Sequence, residues 1–285
     1  MGLCHAVQST PDSVRQRFDR SDLGSPGRCA KLRSGPAPDH RRRTPRAAGQ
    51  GSRPVSPSRG VAAVLGSGQS VIDVQPGSGW WTDIIAPYLA KTGGRYIAAG
   101  ADLGDPAISA GARKGRAAFE AKYKHDPALY GDVSVVGFGP VSGPLATPGS
   151  VDLVLVSRET HNWVQRAGFF QKAFADFHAA LKPGGVLAIE EHRAPDGADP
   201  NKGDGYLSEA FVIDQAKKAG FVLAAQSEIN ANPRDLKSYP FGVWTLPPSR
   251  RSSPFGQPDN PAFDHAPYDA IGESDRMTLK FVKPT

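Results

Sequence analysis

Two short polar runs hold the side chains best suited to chemistry: Arg158, Glu159, His161, Asn162 and Trp163 in one, and Glu190, Glu191, His192 and Arg193 in the other. Histidine has an ordinary pKa close to neutrality, so His161 or His192 can act as a base, with Glu191 in the same cluster of candidate catalytic groups. Arginine carries a planar fork that matches a carboxylate, which suits Arg158 or Arg193 to holding an acidic group. The alternative for any one of these residues is that it bonds to its neighbours and stiffens a loop. A third run, Val71 to Thr82, reads VIDVQPGSGWWT. Its glycines let a ligand approach the backbone, where N–H groups and a helix start are available to bind it.

These residues need a scaffold, and the spacing of apolar residues supplies one. Val71, Ile72 and Val74 form a β-branched run stopped by Pro76-Gly77-Ser78-Gly79, and Ile84, Ile85, Tyr88 and Leu89 then recur at helical intervals. Further strands are expected at 95–99, 133–136, 151–156, 186–189, 221–223 and 277–282. Helical patterns lie between them: one or two within 107–130, a stripe of Phe170, Phe174, Phe177 and Leu181, and a segment over 208–218. Strands that alternate with helices predict an α/β fold, a doubly wound, mostly parallel sheet of seven strands spanning residues 61–285. In such a sheet ligands bind outside the carboxyl ends of the strands, where strand order reverses. Both polar runs then fall in loops after the fourth and fifth strands, opening on one crevice with the glycine turn. The polar segment from Glu228 to Pro248 reads as a lid or as a turn followed by an edge strand. Residues 249–271 read as an irregular surface loop, and His178 as a surface residue.

Charge and composition narrow the function. The chain of 285 residues carries a net charge of +6, but residues 1–60 hold 12 Lys and Arg against 4 Asp and Glu, while the remaining 225 hold 22 against 24. The basicity therefore belongs to an Arg/Ser/Gly/Pro-rich tail over 1–60, which composition predicts to be disordered, and the domain itself shows no nucleic-acid face. No run is long and apolar enough to span a membrane, and the N-terminus lacks a secretory pattern, so a cytoplasmic protein is expected. Cys4 and Cys29 lie in the tail, and the seven histidines show no H-x-x-x-H spacing, so no metal site is expected. No G-x-S-x-G follows a strand, which disfavours a nucleophilic hydrolase.

Six motifs in order carry a resemblance: Pro76 to Leu89, His161 to Trp163, Leu181 to Leu187, Glu191 to Arg193, Ile229 to Pro233 and Gly242 to Pro248. Over residues 61–285 the chain resembles class I S-adenosylmethionine-dependent methyltransferases, and within them a bacterial group known by fold rather than by substrate. The resemblance implies S-adenosyl-L-methionine as cofactor and a small-molecule acceptor. It implies that Asp73, Gly77 and Gly79 border the cofactor's methionine part, with Gln75, Pro76 and Ser78 in the same turn and Arg158 nearby. The class usually has an acid at the end of the second strand; Gly100 stands there, with Asp102 two residues later to reach the ribose. Where an acid often follows the third strand, Gly137-Phe138-Gly139 stands, and Phe138 can lie against the adenine; core or loop packing is the alternative for both Asp102 and Phe138. Asn162, Trp163, Arg193, Asn230 and Asn232 are the expected acceptor-binding residues. A degenerate cofactor-binding protein or an NAD(P)-dependent oxidoreductase is the other reading, weakened because G-x-G-x-x-G would need glycine where Thr82 stands.

Overall fold

The computed structural model describes residues 64–285, so the basic tail assigned to residues 1–60 lies outside the described residues. Strands β1 (Ser70–Val74), β2 (Arg95–Ala101), β3 (Val133–Phe138), β4 (Val151–Ser157) and β5 (Leu181–Ala194) pair in parallel, and β7 (Val222–Ser227) and β8 (Arg276–Val282) complete one edge. The order across the sheet is β3-β2-β1-β4-β5-β8-β7, with β8 antiparallel to both of its neighbours. The expected seven strands are present. An eighth, the two-residue β6 (Leu207–Ser208), is attached to the end of β5.

Alternation along the central strands explains the two covered faces. Ile72, Val74, Val154 and Val156 pack on one side with Phe170, Phe174 and Phe177 of helix α4 (Phe169–Ala180) and with Val212 of α5 (Glu209–Lys218). Val71, Leu153 and Leu155 pack on the other with Ile85 and Leu89 of α1 (Thr82–Thr92) and with Phe119 and Tyr123 of α2 (Ala110–Lys124). Burying a side chain such as Phe174 contributes about 1.5–3 kcal/mol, so the aromatic stripe of α4 anchors that layer. The stretch 107–130 gives α2 and the short α3 (Pro127–Tyr130). Within 249–271 the chain forms one brief helix, α6 (Ala266–Ile271). His178 is half-buried rather than on the surface, with its ring edge against Phe221 at 5.2 Å.

β2 and β5 extend further than the apolar runs indicate. Pairing with β3 carries β2 to Ala101, so Asp102 directly follows the strand. Pairing with β8 carries β5 through Glu190, Glu191 and His192, which are strand residues opposite Thr278, Met277 and Arg276 rather than members of a loop.

Asp73 shares the α1/α2 side of β1 and is buried, where the expected role was to border a ligand. Tyr96 donates to its Oδ2 at 2.6 Å, and the Thr82 hydroxyl lies 2.7 Å from the Tyr96 oxygen. Burial raises the Asp73 carboxyl to about 7 against the opposing Tyr96 hydrogen bond. The turn that follows is held from both ends. Gln75 has φ 51° and donates its N–H to the Ala99 carbonyl at 2.9 Å. The Tyr123 hydroxyl sits 2.9 Å from the Gly79 carbonyl and 2.8 Å from Asp83. Gly79 has φ 93°, and a Cβ there would lie 1.8 Å from the Tyr123 oxygen, so helix α2 requires glycine at this position. Gly77, at φ 57°, has nothing within 4 Å of where its Cβ would be.

Two stability measurements follow from this packing. Gly79→Ala must displace Tyr123 and should cost about 2–4 kcal/mol, whereas Gly77→Ala meets only backbone strain of about 1–2 kcal/mol; equal losses in chemical denaturation would contradict the packing. Because the folded pKa of Asp73 lies above its unfolded value, its contribution is full below pH 4 and declines as pH rises toward about 7. Asp73→Asn keeps an acceptor for Tyr96 and removes the titration. It should therefore flatten the fall in stability between pH 4.5 and 7.5 by up to about 4 kcal/mol, and parallel pH profiles for the two proteins would refute this.

Candidate active site

The order reverses between β1 and β4, so their carboxyl ends bound the crevice expected of a doubly wound sheet. On the β1 side stand the turn Gln75–Gly79 and, at the end of β2, Asp102. The Asp102 Oδ1 accepts from the Gly104 N–H at 3.0 Å, and its side chain runs so close to Gly137 that a Cβ there would lie 2.7 Å from the same oxygen. Arg116 of α2, which the sequence did not single out, donates to the carbonyls of Ala101, Val135 and Val136 and so closes the ends of β2 and β3. The exposed Gly77 and Ser78, the open space beyond Gly77 and the partly exposed Asp102 carboxylate together form an accessible edge at the carboxyl ends of β1 and β2.

On the β4 side, the chain leaves Ser157 and turns through Arg158 at φ 59°, then makes a 3-10 turn over Thr160–Asn162. That turn wraps the fully buried Glu191. Glu191 Oε2 accepts from the Thr160 hydroxyl at 2.5 Å and the His161 N–H at 3.2 Å; Oε1 accepts from the His192 N–H at 2.7 Å and lies 2.8 Å from His161 Nδ1. Burial would raise this carboxyl, but the His161 charge and these hydrogen bonds outweigh it and hold the group well below the usual carboxylate range. Burial works against the His161 cation too, and Glu191 overcomes it, raising the imidazole above its ordinary value. His192 behaves oppositely. Burial and neighbouring cations push it well below the usual histidine range despite Glu191, and its Nδ1 lies 2.6 Å from the Ser274 hydroxyl.

The three expected catalytic residues are thus brought together, with the His161 and His192 rings 5.2 Å apart. They also offer three ligand atoms within 4.8 Å of one another, a cluster that sequence spacing could not reveal because its members lie 30 residues apart.

A cleft of about 250 Å³ opens beside this network, lined among others by Arg158, Glu159, His161, Asn162, Trp244 and Arg276. Burial raises the Glu159 carboxyl to about 7, with the Asn162 amide donating to it at 3.0 Å in the opposite sense. The segment after β7 forms one wall. It contains no edge strand; its 3-10 turn Gly242–Thr245 brings Trp244 to 5.7 Å from the His161 ring.

Several expected binding residues serve structure instead. Trp163 is buried in the core and donates Nε1 to the Gln75 side chain at 2.6 Å, tying the β4 loop to the β1 turn. Phe138 is buried against Trp163, Phe169 and Phe177 rather than open to an adenine. Arg193 is engaged by Glu228 and Asp275, which raises its pKa. Asn230 donates to Thr278, and Asn232 to the carbonyls of Ile271 and Glu273. Their expected roles assumed loops facing the crevice, whereas β8 and the strap after β7 face these side chains.

Neither protein-family models nor curated proteins give a match to this chain. Solved structures do. The chain is similar to the [4+2]-cyclase SpnF, at 15% identity over 78% of this chain and 77% of that one, with a TM-score of 0.50. It is also similar to a SAM-dependent methyltransferase from Aquifex aeolicus, at 18% identity over 61% and 83% of the two chains with a TM-score of 0.46. A third is the Burkholderia thailandensis 1,6-didemethyltoxoflavin-N1-methyltransferase with bound S-adenosylhomocysteine, at 15% identity over 80% and 77% with a TM-score of 0.45. One of the three is a cyclase, so likeness of this degree speaks to fold and not to reaction. The fold of this chain is Rossmann-like, a doubly wound, mostly parallel sheet similar to that of the cyclase.

Proposed function

We propose that the chain transfers a methyl group from S-adenosyl-L-methionine to a small-molecule acceptor. The observation that carries this reading is the pairing, across one switch point, of an open glycine turn and Asp102 with a cleft beside a buried His161–Glu191 pair. The turn Gln75–Gly79 would approach the cofactor through its backbone, and Asp102 would accept from the ribose hydroxyls. When bound, S-adenosyl-L-methionine supplies an electrophilic methyl group, and much of the catalysis of such a displacement lies in holding the acceptor in line. The cleft walls hold the acceptor. In its neutral form His161 would donate Nδ1–H to Glu191 and leave Nε2 to take the acceptor's proton as the acceptor's oxygen or nitrogen bonds to the methyl carbon and the carbon–sulfur bond breaks. A cleft of about 250 Å³ lies below the roughly 300–1,000 Å³ typical of drug-sized ligands, which supports a small acceptor. The dinucleotide reading is not favoured, since β8 enters antiparallel between β5 and β7 where the usual dinucleotide sheet is parallel throughout.

Calorimetric titration of the full chain with S-adenosylhomocysteine and with NADPH tests the reading. S-adenosylhomocysteine should bind; binding of NADPH alone would overturn it. Asp102→Ala should weaken S-adenosylhomocysteine about tenfold or more through the lost charged hydrogen bonds, while His161→Gln, on the acceptor side, should change it less than about threefold. The reverse ranking would mean that cofactor and acceptor sides are exchanged.

A further inference from the structure

Resting on the methyl-transfer reading, we infer that the acceptor is a small carboxylate and that the Arg158 guanidinium is the group that holds it. Among the described residues lining the cleft, Arg158 is the cation without an ionic partner. Arg276 is engaged through Nη1 by Glu190 at 3.1 Å and through Nη2 by Glu273 at 2.6 Å, and the His161 charge is matched by Glu191. His192 donates its N–H to the same Glu191 and lies 2.6 Å from the Ser274 hydroxyl through Nδ1. Glu159, the neighbouring acid, accepts from the Asn162 amide at 3.0 Å and makes no ion pair with Arg158.

The backbone points the same way. A left-handed φ costs a non-glycine residue on the order of 1–3 kcal/mol and persists where surrounding structure imposes it. Here the Arg158 N–H donates to the Glu190 carbonyl at 2.7 Å, continuing the β4–β5 pairing, so the strand end sets the place from which the guanidinium starts. A planar fork anchored at its backbone in the lining of a partly enclosed cleft suits two-point recognition of a carboxylate. Two further polar atoms of the cleft residues are buried without partners: Arg276 Nε, a donor, and Glu273 Oε1, an acceptor. Trp244 offers a ring wall for the body of the acceptor.

The test is titration of the full chain with 4-hydroxybenzoate and 3-hydroxybenzoate, each against its uncharged amide, with and without saturating S-adenosylhomocysteine. At least one acid should bind about tenfold tighter than its amide, the value of a charge-assisted pair, and Arg158→Gln should bring the two within about twofold. Arg158→Lys should keep part of the preference. Arg158→Gly, which suits the left-handed backbone, should melt no lower than the parent and still lose the preference, separating recognition from folding. Amides that bind as well as their acids, acids that do not bind, or a preference that survives in both Arg158→Gln and Arg158→Gly would overturn the inference. Failure of S-adenosylhomocysteine to bind, with the acid preference intact, would count against methyl transfer and not against Arg158.

Discussion

The whole cleft beside His161 depends on keeping one carboxylate ionised where water cannot reach it. Glu191 sits on β5 opposite β8, fully buried, and an unpaired charge there would cost several kcal/mol. Its four close contacts come from two elements: the Thr160 hydroxyl and the His161 N–H and Nδ1 from the turn after β4, and the His192 N–H from β5 itself. The β4 loop therefore cannot move away without stranding the charge. That constraint fixes the His161 ring, and through Arg158 and Glu159 at the start of the same loop it fixes one wall of the cleft.

Two strands away, Asp73 meets burial by the opposite route. Only hydroxyl groups face it, Tyr96 directly and Thr82 behind, and no cation stands near enough to hold its charge, so burial dominates and the proton is retained toward neutral pH. The contrast explains a difference of role. The Glu191 carboxylate holds the His161 ring in place, whereas the Asp73 carboxyl, held by phenol and hydroxyl, bridges β1, β2 and the first turn of α1. The glycine turn inherits its position from that bridge and from Tyr123, which is why its access for a ligand lies at Gly77 and not at Gly79.

Much of the sheet was legible in the sequence because β1, β3 and β4 are rich in β-branched residues and α4 carries a clear apolar stripe; Val151–Val156 and Phe170–Phe177 needed no tertiary information. The pairing of His161 with Glu191 was legible only as proximity, since parallel strand ends bring the two runs together. What could not be read was where strands end. Glu190 to Arg193 look like a polar loop, and pairing with the antiparallel β8, some 85 residues away, and with β6 keeps them in extended structure. Asn230 bonds to β8, and Asn232 and Arg193 to the segment that leads into it, so all three face protein. Trp163 and Phe138 were ambiguous for a different reason: a large aromatic beside a crevice packs inward or outward according to which cavity the core leaves, and Gln75, at a left-handed position no pattern predicts, offered Trp163 its hydrogen bond inward.

The strap after β7 is built as a fixed wall. Asp235 is buried and accepts from Tyr206, Tyr239 and the backbone of Asp275, while Asp275 in turn receives Asn232, Arg193 and Lys237. Burial alone would raise the Asp275 carboxyl, and these donors instead lower it, so the strap is anchored by charge that stays ionised. Val243, Thr245 and Leu246 are buried beneath it, which leaves Trp244 held from both ends against His161. A wall anchored in this way does not need to close over a ligand. It shapes the cleft beforehand, so that the opening lies between an indole held from both ends, an imidazole held by Glu191 and Arg158, which among the described residues of the lining makes no ion pair.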